Sequence, residues 1–396
     1  MEFAHVTTDA ELADICRRML TARQIGFDTE FVSEDCYRPD LCLIQLNIDG
    51  YLAIVDPKAV TELRPFWEAL ATGSHETIVH AGREEFRFCW AELGHSPQRW
   101  VDVQLAAGLV GLEYPAAYHK LIGKLLGVNL AKGETRTDWR RRPLSSHQLE
   151  YALQDVVHLI ELRDRLVDQL TRLQRLSWLD DENSRWQEAI IASEQEERWR
   201  RVSGITAVPA RSLVVLRELW RWREECARQQ NRPPKWVLRD DLLVELARRG
   251  SAEISRILAV RGMERRGQKN RTEEIADVIR NAKKLPAERW PAPRRTELPQ
   301  QIQALAQFLN TALASICRRQ NLAPSLVGTV QDIRDLITHH LRLDEPDDPL
   351  PVLAQGWRAE VIGHTVERLL AGQLALRIVD PLSEQPIVLD PVEGFE

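Results

Sequence analysis

The chain of 396 residues is 44% hydrophobic and 28% charged, a composition typical of globular proteins with apolar cores. Its length predicts roughly two to four domains, at about 100–200 residues per domain. Because no run of about 18 apolar residues occurs and no basic start precedes an apolar core, we expect neither a membrane span nor a secretory signal. The six cysteines are scattered and form no CxxC pair, so we expect reduced thiols in a cytoplasmic protein and no zinc site.

The net charge of −6 conceals an uneven distribution of charge along the chain. Residues 211–295 hold 22 Lys and Arg against 12 Asp and Glu, whereas residues 296–396 hold 7 against 14. Residues 1–210 then carry a net charge of −9. A basic middle segment beside an acidic first part indicates that one part binds a polyanion while the other gathers carboxylates around metal ions. A solvated helical surface rich in arginine would give the same pattern.

The first part of the chain alternates strand-like and helix-like patterns. Short apolar runs predict strands over 25–31, 41–46, 52–55 and 77–80, and the last of these runs into a helix at Gly82. Strands that alternate with helices favour an α/β domain with a mixed sheet, which we place over residues 1–200.

From Pro143 onward the pattern becomes almost wholly helical. Ser145 and Gln148 have the spacing of a capping box, which predicts that a helix begins there. Further amphipathic helices are predicted from Leu213 and over 302–316.

The helical part contains a weak internal repeat at an offset of 90 residues. Six residues of one copy recur in the other: Arg228, Gln230, Asn231, Pro234, Val237 and Leu246 recur as Arg318, Gln320, Asn321, Pro324, Val327 and Leu336. We interpret this as two copies of one small helical domain, over 207–290 and 298–373. The proline-rich segment 286–299 is the predicted linker, and the tail 374–396 has the pattern of a hairpin. Two unrelated helical hairpins could also match in this way.

Two carboxylates stand two residues apart on the first predicted strand. Asp28 and Glu30 therefore leave the same face of the sheet, while Thr29 points the other way. Acids side by side on a partly buried face repel each other unless a cation neutralises them, and hard divalent ions suit such oxygen ligands. An edge strand with both acids in water is the alternative.

Other acidic segments provide partners for this pair. Asp155 lies on the helix capped at Ser145, and Tyr151 precedes it by one turn on the same face. Glu84 and Glu85 follow the predicted junction between strand and helix at Gly82. Taken alone, a tyrosine four residues before an aspartate is common on helices and usually has no functional meaning.

In chain order these segments resemble the three motifs of the DEDD exonuclease superfamily, in its tyrosine-bearing branch. The resemblance is greatest to the ribonuclease D family. It is carried by the stretches 27–31, 43–46, 79–82, 102–107, 134–139 and 151–155. Residues 222–262 are similar to the HRDC domain, which this family shares with some helicases. The likeness covers nearly the whole chain up to about residue 373.

The resemblance implies a ribonuclease H-like exonuclease domain with a mixed sheet, followed by two small all-helical domains of HRDC type. It implies hydrolysis of RNA from the 3′ end, with release of mononucleotides, by two divalent ions, Mg²⁺ or Mn²⁺. The residues implied to hold the ions are Asp28, Glu30, Glu85 and Asp155, and Tyr151 would orient the attacking water. Transfer-RNA precursors and other structured RNAs are the implied substrates, and we expect a monomer.

The chain departs from the family pattern at one position. The second motif of the family has aspartate where this chain has Glu85. The extra methylene moves the carboxylate by about one bond length, which is large for a metal site held to roughly 0.5 Å.

A basic cluster within the HRDC-like segment predicts a surface that binds phosphates. Its members surround two glycines: Arg261, Arg265, Arg266, Lys269 and Arg271. Trp222 and Trp236 lie nearby in sequence and could stack bases, although tryptophan in a small helical domain more often belongs to the core.

Two other functions fit much of this pattern. One is an RNA-binding protein that has lost efficient turnover through the change at Glu85. The other is a DNA 3′→5′ exonuclease, because proofreading enzymes share the same motifs.

Overall fold

A mixed six-stranded sheet forms the centre of the amino-terminal part of the chain. The structure, a computed structural model, describes residues 1–129, 137–264, 266–291, 299–344, 348–383 and 386–392, without the side chains of residues 266 and 267. The strands are β1 (Ala4–Val6), β2 (Gln24–Val32), β3 (Asp40–Ile48), β4 (Tyr51–Val55), β5 (Glu76–Val79) and β6 (Trp100–Asp102). Their order across the sheet is β1-β4-β3-β2-β5-β6. The pair β2–β3 is antiparallel and the pair β2–β5 is parallel, so the sheet is mixed as predicted.

Eight helices accompany this sheet within the residues that the structure describes. They are α1 (Asp9–Thr21), α2 (Arg64–Thr72), α3 (Arg83–Leu93), α4 (Val103–Leu109), α5 (Tyr118–Leu126), α6 (Ser146–Val157), α7 (Leu159–Arg172) and α8 (Leu176–Gln195). On one face of the sheet, Phe27 packs against Phe66 and Trp67, with ring centroids 6.0 and 6.2 Å apart. The helix predicted after Gly82 is α3, and the predicted capping box of Ser145 and Gln148 is present at the start of α6.

Two groups of helices follow. The first helical repeat contains α9 (Leu213–Gln230), α10 (Pro234–Val237), α11 (Asp240–Arg249), α12 (Ile254–Leu258), α13 (Arg266–Lys269) and α14 (Thr272–Ala282). The second contains α15 (Gln300–Arg319), α16 (Pro324–Val327), α17 (Val330–His340), α18 (Gly356–Arg358) and α19 (His364–Leu370). The short helices α10 and α16 lie 90 residues apart, and Asn231 and Asn321 both have left-handed backbones just before them. The elements therefore recur at the offset that the sequence predicts.

The two repeats relate differently to the rest of the molecule. The first has a core of its own, built from residues between Trp199 and Ala282. Apolar residues of the second, such as Leu309 and Val327, belong to the same core as Leu105 and Leu162 of the α/β domain. The second repeat is thus packed into the α/β domain through buried apolar surface.

A buried ion pair adds to this junction between the α/β domain and the second repeat. Arg358 pairs with Glu182 of α8, and each side chain is 7% exposed. The guanidinium also donates to the carbonyl oxygens of Val327 and Leu326, both at 2.8 Å. Trp357 donates to the same carboxylate at 3.0 Å, so the buried charges have several hydrogen-bond partners.

The structure confirms the predicted fold class, an α/β domain with a mixed sheet followed by a helical region. The short strands β1 and β6 were not predicted. The tail forms an antiparallel pair, β7 (Leu374–Ile378) with β8 (Ile387–Pro391), in agreement with the predicted hairpin. The boundaries at residues 200, 207, 290, 298 and 373 stay predictions, and residues 292–298 of the predicted linker lie outside the described residues. In the described ranges, no helix combines the length and apolar character needed to cross a membrane.

We expect Arg358→Ala to destabilise the protein strongly, because it leaves the Glu182 carboxylate buried without its cation. Removal of one partner of a buried pair costs about 3–5 kcal/mol. Arg377→Ala is the matched control, since Arg377 pairs with Asp390 on the exposed hairpin. Its loss should lower stability far less, because water and salt screen an exposed ion pair. Urea unfolding followed by circular dichroism measures both, and equal losses would contradict the assigned role of Arg358.

Candidate active site

Strand β2 places two carboxylates on one face of the sheet. Asp28 and Glu30 are both half-buried, while Phe27 and Thr29 on the opposite face are buried. β3 pairs with β2 along Ile25–Val32, which includes both acids, whereas β5 pairs only with Gln24–Gly26. The register with β3 shifts between Glu30 and Phe31, so the acids lie directly before a bulge.

Helix α6 carries Asp155 and Tyr151 across this face. Its carboxyl end is attached to the sheet by Asn47 of β3, whose side-chain amide donates to the carbonyl oxygens of Val156 and Val157 at 3.2 and 3.1 Å. Gly26 permits the close approach, because a Cβ atom there would lie 3.3 Å from the Val156 carbonyl oxygen. The helix is therefore fixed close to β2.

Three of the predicted metal ligands meet at this point. Carboxylate oxygens of Asp28, Glu30 and Asp155 all lie within 4.8 Å of one another. Burial, reinforced by the charges of Asp155 and Glu85, raises the pKa of Glu30 to about 8. Burial likewise raises the pKa of Asp155 to about 7, and burial with three neighbouring carboxylates raises the pKa of Asp28 well above its usual range.

Among the described residues, the charged groups that act on these acids are other carboxylates. Their raised pKa values arise because burial and mutual repulsion both disfavour the ionised forms. Oxygen ligands that converge in this way fit a hard divalent cation, which would neutralise the repulsion. The divalent-metal dependence that the exonuclease motifs imply therefore agrees with the donor set.

Glu85 lies beside the acidic trio of Asp28, Glu30 and Asp155. It is not one of the three residues whose carboxylate oxygens converge. Its carboxylate is buried and accepts a hydrogen bond of 2.5 Å from the hydroxyl of Thr29. Burial raises the pKa of Glu85 to about 7, although the bond from Thr29 opposes the shift. Its charge still raises the pKa values of Asp28 and Glu30, so it belongs to the same electrostatic site.

The junction that carries Glu85 is fixed by a buried acid. Asp102, at the end of β6, accepts hydrogen bonds from the peptide N–H groups of Ala81, Gly82 and Gln104, at 3.0, 3.2 and 2.8 Å. Ala81 has a φ of 54°, an uncommon conformation for a residue with a Cβ atom. Asp102 thus stabilises the turn from which α3 starts.

Tyr151 lies beside the trio with a neutral phenol. Its ring stacks on that of Trp139, with centroids 6.2 Å apart. Burial and the charges of Asp155, Glu30 and Asp28 raise its pKa to about 12. Trp139 is held in turn because Arg142, which bonds Asp56 at 2.6 and 2.8 Å, donates to the Trp139 carbonyl oxygen. Trp139 belongs to the stretch 134–139, which resembles the ribonuclease D family. Residues 134–136 of that stretch lie outside the described residues.

Sequence reasoning assigned no role to two residues around these acids. Thr29 donates to Glu85, and Asn47 donates to the carboxyl end of α6. Only the alternation of β2 could have drawn attention to Thr29, because it is a polar residue on the face that packs into the core. Asn47 gives no signal in spacing or composition, since its role depends on how α6 packs on the sheet.

The residues of the basic cluster in the first repeat differ in whether their side chains are exposed or bonded within the repeat. Arg261 and Lys269 are exposed. Arg271 donates to the Val237 carbonyl oxygen at 3.1 Å and to Gln230 at 2.9 Å, so its guanidinium is engaged within the repeat. Arg265 and the side chain of Arg266 lie outside the described residues.

The two tryptophans proposed for base stacking differ from each other. The side chain of Trp236 is 61% exposed, which suits a stacking surface better than a core. Trp222 is partly buried against the core of the repeat, and its indole N–H donates to Glu274 at 3.1 Å.

The first repeat is attached to the α/β domain at the segment between β2 and β3. The side-chain oxygen of Asn231 accepts hydrogen bonds from the peptide N–H groups of Tyr37 and Arg38, at 3.1 and 3.2 Å. Arg228 lies over the Tyr37 ring at 5.7 Å. These residues belong to the segment between β2, which carries the acids, and β3.

Comparison with known proteins agrees with this architecture. Residues 3–171 match the family model of a 3′-5′ exonuclease, and residues 212–279 match the HRDC domain. The chain is 31% identical to Ribonuclease D of Gluconacetobacter diazotrophicus over 94% of each chain. It is also 31% identical to Ribonuclease D of Sphingobium indicum, over 94% of this chain and 96% of the relative.

A solved structure extends the comparison to three dimensions. The crystal structure of Escherichia coli RNase D, described as an exoribonuclease involved in structured RNA processing, is similar with a TM-score of 0.82 and 27% identity. The match covers 94% of this chain and 99% of that one. With whole-length relatives above 30% identity, the chain belongs to the ribonuclease D family and is a 3′→5′ exoribonuclease.

Proposed function

We propose that this activity takes place at Asp28, Glu30 and Asp155, assisted by Tyr151 and Glu85. The observation that carries the proposal is the approach of three carboxylates to within 4.8 Å at a site where burial raises all of their pKa values. Two divalent ions, Mg²⁺ or Mn²⁺, bound there would lower the pKa of water and stabilise charge on the leaving 3′ oxygen.

The residues of the chain have separate tasks in this proposal. Asp28, Glu30 and Asp155 provide the oxygen ligands. Tyr151 keeps its proton, because its raised pKa leaves the phenol neutral at physiological pH, and its hydroxyl orients the attacking water toward phosphorus. Its stacking on Trp139 limits the rotation of the ring and so favours a fixed direction of this hydrogen bond.

Glu85 has a supporting part in the proposal. Its bond to Thr29 directs one carboxylate oxygen into the sheet, so the other oxygen remains to act on a second ion, directly or through water. The additional methylene, relative to the family's aspartate, is thereby accommodated by an anchor that the strand itself supplies.

We propose structured RNAs, including transfer-RNA precursors, as the substrates. The support is the named role of the E. coli relative in structured RNA processing, together with the exposed basic and aromatic residues of the first repeat. The first repeat would hold the body of the RNA while the 3′ end enters the site, because it is attached beside β2 through Asn231. Cytoplasmic location and a monomeric state stay predictions.

We expect Asp28→Ala and Asp155→Ala to abolish shortening of a 5′-labelled RNA, because each removes a metal ligand. Neither should destabilise the metal-free protein, since each relieves repulsion among buried acids. The assay compares RNA and DNA oligonucleotides in Mg²⁺, Mn²⁺ and EDTA.

Asp168→Ala serves as the control, because Asp168 is exposed on α7. Near wild-type rates for either site variant would remove that residue from the mechanism. Equal shortening of DNA would favour the DNA exonuclease, and binding without shortening by the wild type would favour the RNA-binding protein.

Substitutions of Glu85 test its supporting part. Glu85→Asp should lose the bond to Thr29, and one hydrogen bond of about 0.5–1.5 kcal/mol corresponds to at most about a tenfold change in rate. Glu85→Ala should reduce the rate far more, because it also removes the negative charge.

Thr29→Val isolates the anchor and should resemble Glu85→Asp in single-turnover kinetics. Should Glu85→Ala match the wild type, Glu85 has no role in turnover. A hundredfold gain in Glu85→Asp would indicate that the natural enzyme is impaired at this position.

The double variant Arg261→Ala/Lys269→Ala tests the first repeat as the RNA anchor. It should lower the slope of log K against log salt by about 1.5, at about 0.7–0.9 for each phosphate that the protein no longer neutralises. Fluorescence anisotropy in EDTA measures binding without cleavage. The control is Arg17→Ala/Arg64→Ala, on exposed side chains of α1 and α2. An equal slope in both double variants would count against the anchor.

A further inference from the structure

Gln45 lies in the middle of β3, within the stretch 43–46 that carries part of the family resemblance, and the proposed function gives it no task. Its side chain is 0% exposed. Neither the nitrogen nor the oxygen of its amide has a hydrogen-bond partner within the part of the chain that the structure describes. Buried polar groups are normally satisfied, because an unmade hydrogen bond is costly in a protein interior. A buried glutamine with both amide atoms unpaired therefore calls for an explanation.

The neighbours of Gln45 along β3 show which face of the sheet it occupies. Side chains alternate along a strand, so Leu43, Gln45 and Asn47 leave the same face. Leu43 belongs to an apolar cluster with Leu153 of α6, and the Asn47 amide donates to carbonyl oxygens at the carboxyl end of the same helix. Gln45 therefore lies on the face that α6 covers, which is also the face of the acidic trio.

Of the two residues directly opposite Gln45 on the neighbouring strands, one is polar. The register pairs Gln45 with Asp28 of β2 and with Ile54 of β4. Directly opposed side chains on one face of an antiparallel pair have Cβ atoms about 4.5–5.5 Å apart. The Ile54 side chain is apolar, so of this pair only Asp28 offers a group that accepts a hydrogen bond. A glutamine side chain, with its two methylenes, is long enough to reach a carboxylate at that separation.

An N–H donor beside Asp28 suits the task of a metal ligand. A carboxylate has two oxygens, so one can bind an ion while the other accepts a hydrogen bond. Hydrogen bonds to an ionised carboxylate are stronger than those between neutral groups. Glu30 fits less well as the acceptor, because it lies opposite Leu43 and is only a diagonal neighbour of Gln45.

We propose that Gln45 is a positioning residue, whose amide N–H donates to one carboxylate oxygen of Asp28 and so directs the other oxygen toward the divalent ion. This inference rests on the proposed function of the trio. Partners of this kind fix the orientation of a metal ligand, and their mutation typically lowers metal affinity by about 10–100-fold. Gln45 acts through Asp28 and has no contact with RNA in this role, because it is fully buried.

The test is Gln45→Met, which keeps the length of the side chain and removes the amide. Titration calorimetry with Mn²⁺ should show affinity weakened by about 10–100-fold. The melting temperature in EDTA should be unchanged or higher, because an apolar group replaces an unpaired buried amide. RNA shortening should fall at low Mn²⁺ and recover as the Mn²⁺ concentration is raised.

Thr77→Val is the matched control, because it removes another unpaired polar group from the interior of the same sheet. The Thr77 hydroxyl on β5 is fully buried and has no hydrogen-bond partner among the described residues. Thr77 pairs in register with Ile25 of β2, so it leaves the sheet on the face opposite Asp28. This variant should bind Mn²⁺ and shorten RNA as the wild type does.

Three results would overturn the inference. Wild-type Mn²⁺ affinity in Gln45→Met would show that the amide has no effect on the ion. An equal loss of Mn²⁺ affinity in Thr77→Val would show that the effect is not specific to the side of the sheet that carries Asp28. A lowered melting temperature of Gln45→Met in EDTA would show that the amide stabilises the fold itself, through a water molecule or a backbone group.

Failure of the proposed function has a different signature. If Asp28→Ala binds Mn²⁺ as tightly as the wild type, the trio is no metal site and both proposals fall. If Asp28→Ala loses Mn²⁺ while Gln45→Met retains it, the proposed function stands and the role of Gln45 alone is rejected.

Discussion

The mutual repulsion of Asp28, Glu30 and Asp155 is the constraint on which the rest of the site depends. Three acids whose oxygens lie within 4.8 Å in a half-buried place would separate if their backbones were free to move. They are held because β3 pairs with β2 along both strand acids and because Asn47 and Gly26 keep α6 close to the sheet. The fold thus maintains a concentration of negative charge that a cation can relieve.

Much of this arrangement could be predicted from the sequence, because the relevant patterns are local. Alternation along β2 predicted that Asp28 and Glu30 share a face, and the capping box predicted the start of the helix that carries Asp155. The bond between Thr29 and Glu85 could not be predicted, since it joins residues 56 positions apart through packing of α3 on the sheet. Asn47 was missed for the same reason, because a residue that acts through tertiary contact leaves no local pattern.

The same turn of each helical repeat contacts the α/β domain, but through different chemical groups. In the first repeat, the Asn231 side chain binds the peptide groups of Tyr37 and Arg38. In the second, the Asn321 carbonyl oxygen accepts from Arg175 at 2.9 Å, and Gly111 gives the room for this contact. Equivalent positions of the repeat therefore both meet the α/β domain, through a side chain in one copy and through the backbone in the other.

The separate core of the first repeat has a consequence for how the molecule responds to stress. The second repeat shares buried apolar surface with the α/β domain, whereas the first has its own core. Cooperative unfolding follows contiguous packing, so the chain should open as two units and not as three. The first repeat could then detach and return while the carboxylate site stays folded. If that repeat holds the body of an RNA, as proposed, the enzyme could release the body without giving up the 3′ end.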